Sequence, residues 1–370
     1  MRLSLRASLA WVLFGLSFTL SPAAAALPST EEVIAAHVRA LGGRAALDAV
    51  HALIIRGRYS EGNFSTDAVQ AKMRPYYKLV GDPGKPPGDF VEGYDGSSWE
   101  YYAKLNLVLR TVGAAAAASR HGLPILGPLV DYKAQGFTVT VADIENVAGH
   151  RAYRLRVHMP DGYEEDQFLD TKTYLPIASR KVAKIHAFGE MVATETRYSD
   201  FRKVKGVLFP FLAQKVEIAS GKVLNTFKTT SIKINPTLDP SVFSPPQVKR
   251  TPLQALLQKL FAERTDKEAT LWSYREFRRA HPDVDMDFAI EVIGYQILKM
   301  GDTETAVALL EENARAYPKS TGAQFGLGRA YNTAGETAKA KAAFRAALVL
   351  DPKNKRAAKA LKTLEEPSKP

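Results

Sequence analysis

The sequence predicts an α+β chain: a long antiparallel β region behind a short helical lead, followed by an all-α stack of repeated helix pairs. Three observations carry this. Apolar and polar residues alternate with period two between residues 51 and about 243. Glycine-containing pairs punctuate that alternation at the spacing of tight turns. From residue 287 onward small, bulky and proline positions recur about 34 residues apart.

The elements follow in order. Residues 1–26 read as a cleaved export signal: Arg2 and Arg6, then the apolar run ASLAWVLFGLSFTL, then SPAAAA with Ala24 and Ala26 as a small-residue cleavage site. That run falls short of the roughly 20 apolar residues a spanning helix needs. Residues 27–50 read as helical. Ser29 and Glu32 have capping-box spacing, Val33, Ile34, Val38 and Leu41 share one face, and Gly42-Gly43 stop the helix before RAALDAV. His37, at the border of that face, reads as a packed helix histidine.

Strands are expected at 51–59, 64–73, 99–110, 136–141, 153–159 and 214–220. Turns fall at Asp95-Gly96, Asp161-Gly162, Gly189-Glu190, Lys205-Gly206 and Ser220-Gly221. No long helix intervenes except near 113–121, so antiparallel pairing is expected. Taken as one strand, 99–110 puts Trp99, Tyr101, Ala103, Leu105, Leu107 and Leu109 on one face. Glu100 then lies on the other face with Lys104 and Asn106. Likewise Tyr153, Leu155, Val157 and Met159 oppose Arg154, Arg156 and His158. Residues 113–129 are alanine-rich and then Gly/Pro-punctuated, an apolar lid segment that includes Leu123 and Ile125.

Proline-rich 238–252 closes the β region. In 321–352, Leu327, Gly328, Tyr331, Gly335, Ala340, Phe344, Ala347 and Pro352 occupy the signature positions of a tetratricopeptide (TPR) repeat. One period upstream, Ile293, Gly294, Gly301, Ala306, Leu310 and Pro318 fall in register. Repeats are expected at about 287–320 and 321–354, with degenerate helices before, including 271–282, and a capping helix after. Repeat position aims Tyr295, Phe325, Arg329 and Asn332 at the groove that takes a protein or peptide partner.

Chemistry is hard to place. The chain of 370 residues has no cysteine, which excludes disulfides, thiolate metal sites, cysteine nucleophiles and a lipidated N-terminal cysteine. An exported chain free of cysteine fits the periplasm, an oxidising compartment. The formal net charge of +11 falls to +9 without Arg2 and Arg6. It is spread thinly, which does not point to nucleic acid and leaves room for peripheral contact with an anionic membrane. There is no G-x-S-x-G, S-x-x-K or H-E-x-x-H. DVDMD (283–287) lacks the glycine and closing glutamate of a calcium loop, so it reads as an inter-repeat turn with Asp287 as N-cap. FVEGYDGSSWEYY (90–102) has the carboxylates and aromatics of a sugar-cleaving site. Strand parity separates Glu100 from the aromatic face, and Asp95 serves a turn. No catalytic residue, cofactor or metal is expected.

Several motifs together resemble the LolA/LolB/LppX superfamily of periplasmic lipid carriers related to outer-membrane lipoprotein sorting. They are ALGGRAAL (40–47), GYDGSSWEYY (93–102), NVAGHRAYRLRV (146–157), and the D-x-x-T-x-L-P turn of Asp170, Thr173, Leu175 and Pro176. The D-[YF]-R-x-V-x-G-x-x-x-P run from Asp200 to Pro210 and the exit LDPSVFSPP (238–246) complete the set. The resemblance spans roughly residues 30–246 and implies an antiparallel half-barrel with covering helices, whose concave face holds acyl chains or a lipoprotein's lipid moiety. Trp99, Tyr101, Leu105, Leu107, Tyr153, Leu155, Val157, Leu123 and Ile125 are the cavity candidates. The expected domains are 27–247 (LolA-like) and 248–370 (TPR). The expectation is a non-enzymatic periplasmic protein of lipid or lipoprotein handling; the alternative is a cell-envelope scaffold with no lipid ligand.

Overall fold

In the computed structural model, which describes residues 27–88, 90–103, 106–111, 113–184, 191–248 and 251–365, helix α1 (Thr30–Leu41) starts at the capping box read from the sequence. Glu32 N–H donates to Ser29 Oγ (3.3 Å) and Ser29 N–H to Glu32 Oε2 (2.9 Å). Gly42 ends α1 at φ +135°, and α2 (Arg44–Asp48) follows. The export signal, the Gly189-Glu190 turn and Leu105 lie outside the described residues.

The described residues then form one antiparallel sheet of 13 strands. Its first six are β1 (Ala52–Glu61), β2 (Phe64–Met73), β3 (Tyr76–Gly81), β4 (Phe90–Tyr94), β5 (Ser98–Tyr102) and β6 (Leu107–Arg110). After helix α3 (Gly113–His121) come β7 (Thr138–Val147), β8 (His150–His158), β9 (Glu164–Asp170) and β10 (Pro176–Lys184). β11 (Met191–Val204), β12 (Val207–Glu217) and β13 (Val223–Ile234) complete it. Spatial order is β6-β5-β4-β3-β2-β1-β13-β12-β11-β10-β9-β8-β7, so two meanders meet where β1 pairs with β13. The D-x-x-T-x-L-P motif has a local cause: Asp170 Oδ1 accepts from the backbone N–H groups of Lys172 (2.9 Å) and Thr173 (2.7 Å), fixing the turn into β10.

One expectation about faces is corrected. Residues 99–110 are two strands, not one: Trp99 pairs with Arg110, Tyr101 with Val108 and Tyr102 with Leu107. The reversal restarts the period-two count. Leu107 and Leu109 therefore share a face with Tyr102 and Glu100, opposite Trp99. Trp99 is fully buried on the outer face. There its ring packs over Gly93, where a Cβ would sit 2.5 Å from the indole, and its Nε1–H donates to Phe243 O (3.1 Å).

Among the described residues seven α-helices follow: α4 (Pro252–Ala262), α5 (Lys267–Ala280), α6 (Asp287–Met300), α7 (Thr303–Ala316), α8 (Thr321–Thr333), α9 (Thr337–Leu350) and α10 (Lys355–Glu365). Thr251 and Gln254 cap α4 reciprocally. Met286, not Asp287, is the residue preceding α6; Asp287 is its first helical residue and its N–H donates to Asp285 Oδ1 (3.0 Å). The repeat signature is a packing rule. Gly294 lies under Leu310, and one period on Gly328 lies under Phe344. A Cβ at Gly328 would come within 2.6 Å of the Phe344 ring, which is itself fully buried. Gly328→Ala is thus expected to cost about 1–3 kcal/mol, read as a lower urea midpoint.

The helices are not a separate bead. Leu107, Leu109 and the partly buried Tyr102 share one apolar cluster with Leu256, Leu257, Leu260 and Ile290. Gln254 also donates through its side chain to Asn106 O.

Candidate ligand cavity and repeat groove

The inner face of the sheet carries Leu53, Ile55, Gln70 and Lys72, by the pairing of β1 with β2. Helix α1 and the loop 122–129 roof it, enclosing a cavity of about 350 Å³. The apolar wall comes from Leu41, Leu53, Ile55, Ile125, Phe209 and Ile232. Polar groups share the lining: Gln70 and Lys72 from β2, paired with Ile55 and Leu53 of β1, Gln167 and Glu165 from β9, Ser179 and Lys181 from β10, and Tyr198 from β11. β2 and β10 are five strand spacings apart, roughly 24 Å in a flat sheet. Lining one cavity together requires the sheet to curl.

A second cavity of about 690 Å³ shares Gln70 and Phe227 with the first and runs toward β3, β4 and β5. Both sizes lie in the range of about 300–1,000 Å³ typical of ligand sites. The second is lined by Tyr59, Tyr77, Tyr102, Glu92, Glu100 and Lys215 among others. Tyr102 OH donates to Glu100 (2.6 Å) and Tyr77 OH to Glu92 (3.3 Å). Burial first, and these carboxylates second, push both hydroxyls' pKa values up, so both remain neutral donors.

Charges inside the curl are perturbed by burial. Lys72 is pushed down to about 8 by desolvation and then by the charge of Lys181. Lys215 is lowered by the same two causes in the same order. Burial raises the Glu165 carboxyl, against the pull of Lys181 and a 2.7 Å hydrogen bond from Gln167 Nε2. Burial also lowers His37, whose Nδ1 lies 2.8 Å from Tyr174 O.

The roof is tied at both ends. His121, at the end of α3, places Nε2 2.7 Å from Asp161 Oδ2 and stacks on Tyr163 at 3.9 Å between centroids. Arg44 donates to Val130 O (2.8 Å) and pairs with Asp131 (2.5 Å) beyond the loop.

The sequence candidates are scattered over several places. Ile125 lines the first cavity, and Tyr101 lies at the wall of the second, its hydroxyl donating to Asn106 Oδ1 (3.1 Å). Leu155, Val157 and the partly buried Tyr153 are on the inner face but pack under α1 with Val33, Ile34 and Leu129. Leu123 is half-buried beside the roof, outside both linings. Trp99 and Leu107 line neither cavity; the first belongs to the outer face, the second to the junction with the helices. Sequence reading missed Gln70, Lys72, Glu165, Gln167 and Lys181. In β2 it had no way to choose a face, because the polar residues are the ones turned inward.

In the repeats, Tyr295 and Phe325 are nearly buried and roofed by arginines. The Arg329 guanidinium lies 4.0 Å from the Tyr295 centroid, and Arg356 lies 4.9 Å from that of Phe325. Asn332 is exposed. Burial pushes Glu291, beside these arginines, up to about 7. Among the described residues no cluster of His, Asp and Glu is suited to a metal, and no helix is long and apolar enough to cross a membrane.

The tetratricopeptide repeat family model matches residues 298–364. Solved structures similar to the N-terminal part include a DUF1329 family protein from Desulfovibrio piger, 15% identical, covering 58% of this chain and 96% of that one at TM-score 0.41. A second is the domain of an outer membrane lipoprotein-sorting protein from Vibrio parahaemolyticus, 11% identical, covering 57% and 94% at TM-score 0.40. A LolA superfamily protein from Nitrosomonas europaea is 10% identical, covering 59% and 99% at TM-score 0.40. No curated protein matches the chain.

Proposed function

We propose that the protein is a non-enzymatic periplasmic carrier of acyl-chain ligands, either free lipid or a lipoprotein's lipid moiety. In this reading residues 27–247 bind the ligand and 248–370 recruit a protein through the groove of α6, α8 and α10. The observation that carries it is the cavity between the curled sheet and α1, with one wall of Leu41, Leu53, Ile55, Ile125, Phe209 and Ile232 and room for a ligand. Concave, mostly apolar spaces with a few polar groups are where small molecules bind. A core that existed only for stability would be filled by its own side chains at close-packed density.

The test is native mass spectrometry of protein purified gently from cell envelopes, followed by delipidation and reloading with hexadecanol. Retained acyl ligand, and reloading after its removal, are expected. No retained lipid together with no uptake would overturn the carrier reading and leave a scaffold acting through the repeats.

A further inference from the structure

The inner cavity has two unlike ends, and the difference is one of charge. The strand arginines that point away from it are paired. Arg180 of β10 meets Glu195 (2.8 Å) and Glu145 (2.7 Å), Arg154 meets Asp143 (2.5 Å), and Arg156 meets Asp166 (3.0 Å). Lys181, the next residue along β10, turns inward and lines the cavity with Lys72 of β2. Among the described residues neither ammonium has a carboxylate within 4.0 Å. The aromatic contact of Lys72 is with Tyr77, whose ring centroid is 5.7 Å from Nζ. The two lysines feel each other, Lys215 of β12 also feels Lys181, and the one opposite charge acting on Lys181 from this lining is that of Glu165.

Holding like charges together in a partly dehydrated space costs folding free energy, and proteins normally pair such groups or leave them in water. The sheet supplies counter-charges freely on its other side. Among the described residues Glu165 is the one acidic side chain in this cavity's lining. It is engaged by Gln167. The lining of the second cavity carries Glu61, Glu92 and Glu100 together with Lys215, and Tyr77 and Tyr102 donate to Glu92 and Glu100. Lys72 and Lys181 together offer an anion two positive charges beside the apolar lining.

We infer that the cavity takes an amphiphile with a single anionic headgroup, carboxylate or phosphate, seated between Lys72 and Lys181 with its chain along Leu41, Leu53, Ile55 and Ile125. This rests on the carrier reading and adds the class and orientation of ligand. Charge-assisted hydrogen bonds in a dehydrated site are the strong ones, so the headgroup sets a preference and the apolar wall sets the baseline.

The experiment is titration calorimetry on the chain from residue 27 onward, delipidated, with four probes below their micelle concentrations: hexadecanoate, hexadecyl phosphate, hexadecanol and inorganic phosphate. The two anionic amphiphiles are expected to bind at least about tenfold tighter than hexadecanol. Lys72→Met/Lys181→Met should lose that preference and keep hexadecanol binding, while Lys72→Arg, which retains the charge, keeps the preference. If the double variant does not fold by circular dichroism, Lys181→Gln alone serves. Equal affinity for hexadecanol and hexadecanoate in the unaltered chain sinks the headgroup inference but leaves the carrier reading standing. Inorganic phosphate binding as tightly as hexadecyl phosphate also sinks it, by showing a small-anion site. Failure of every chain-bearing probe removes the carrier reading and this inference with it.

Discussion

Lys72→Met is expected to stabilise the folded chain at neutral pH by about 1–3 kcal/mol, while weakening its hold on an anionic amphiphile about tenfold. Burial and the charge of Lys181 bring Lys72 from its usual 10.5 down to about 8. Each unit of such a gap is about 1.4 kcal/mol, and water entering the open cavity reclaims part of it. Below pH 8 Lys72 is protonated in folded and unfolded chain alike, and the folded chain carries the whole cost. Between about pH 8 and 10.5 the folded chain releases a proton that the unfolded chain keeps, so stability rises with pH through that window. The variant should lack that rise. Other groups at this site are Lys181, Glu165, His37, His121 and Tyr198 in the same lining, Tyr77 against Nζ, and Lys215 beyond. They remain in the variant, and the comparison reads Lys72 together with its coupling to Lys181. Urea unfolding at pH 7 and pH 10 reads both parts. A destabilised variant would mean that Lys72 is held by the protein itself.

Trp99→Ala is expected to cost about 3–5 kcal/mol without the indole ever meeting a ligand. The side chain is 1% exposed, rests on Gly93, and gives its N–H to Phe243 O. Truncation leaves a cavity and an unpaired carbonyl on the outer face. Trp99→Phe keeps most of the apolar volume and should fold. Its affinity for hexadecanol should equal that of the unaltered chain. The urea midpoint measures the first effect and calorimetry the second. Lost binding in folded Trp99→Phe would put the indole against ligand after all.

How much was legible can be read residue by residue. The Ser29–Glu32 cap, the Asp170 turn and the Gly294 and Gly328 contacts were visible because each is a local rule that tertiary structure did not override. The 99–110 hairpin was not, because its turn contains no glycine or proline. Asn106 takes φ +45° there, a conformation asparagine tolerates, and that asparagine was the available signal. The inward lysines were missed for a different reason. Alternation assumes that the apolar face is inside, whereas β2 turns Gln70 and Lys72 inward and Ala71, also buried, outward. A sheet covered on both faces gives no such assurance.

The cluster joining Leu107 and Leu109 to the first repeat helices has a mechanical consequence. Helical-repeat arrays need a terminal unit to seal their exposed end, and here the edge hairpin of the sheet does the sealing. Sheet and helices therefore share a packed seam rather than a tether. The β5–β6 hairpin thus faces two ways: Leu107, Leu109 and Tyr102 hold the helices, and Tyr102 and Glu100 also line the second cavity.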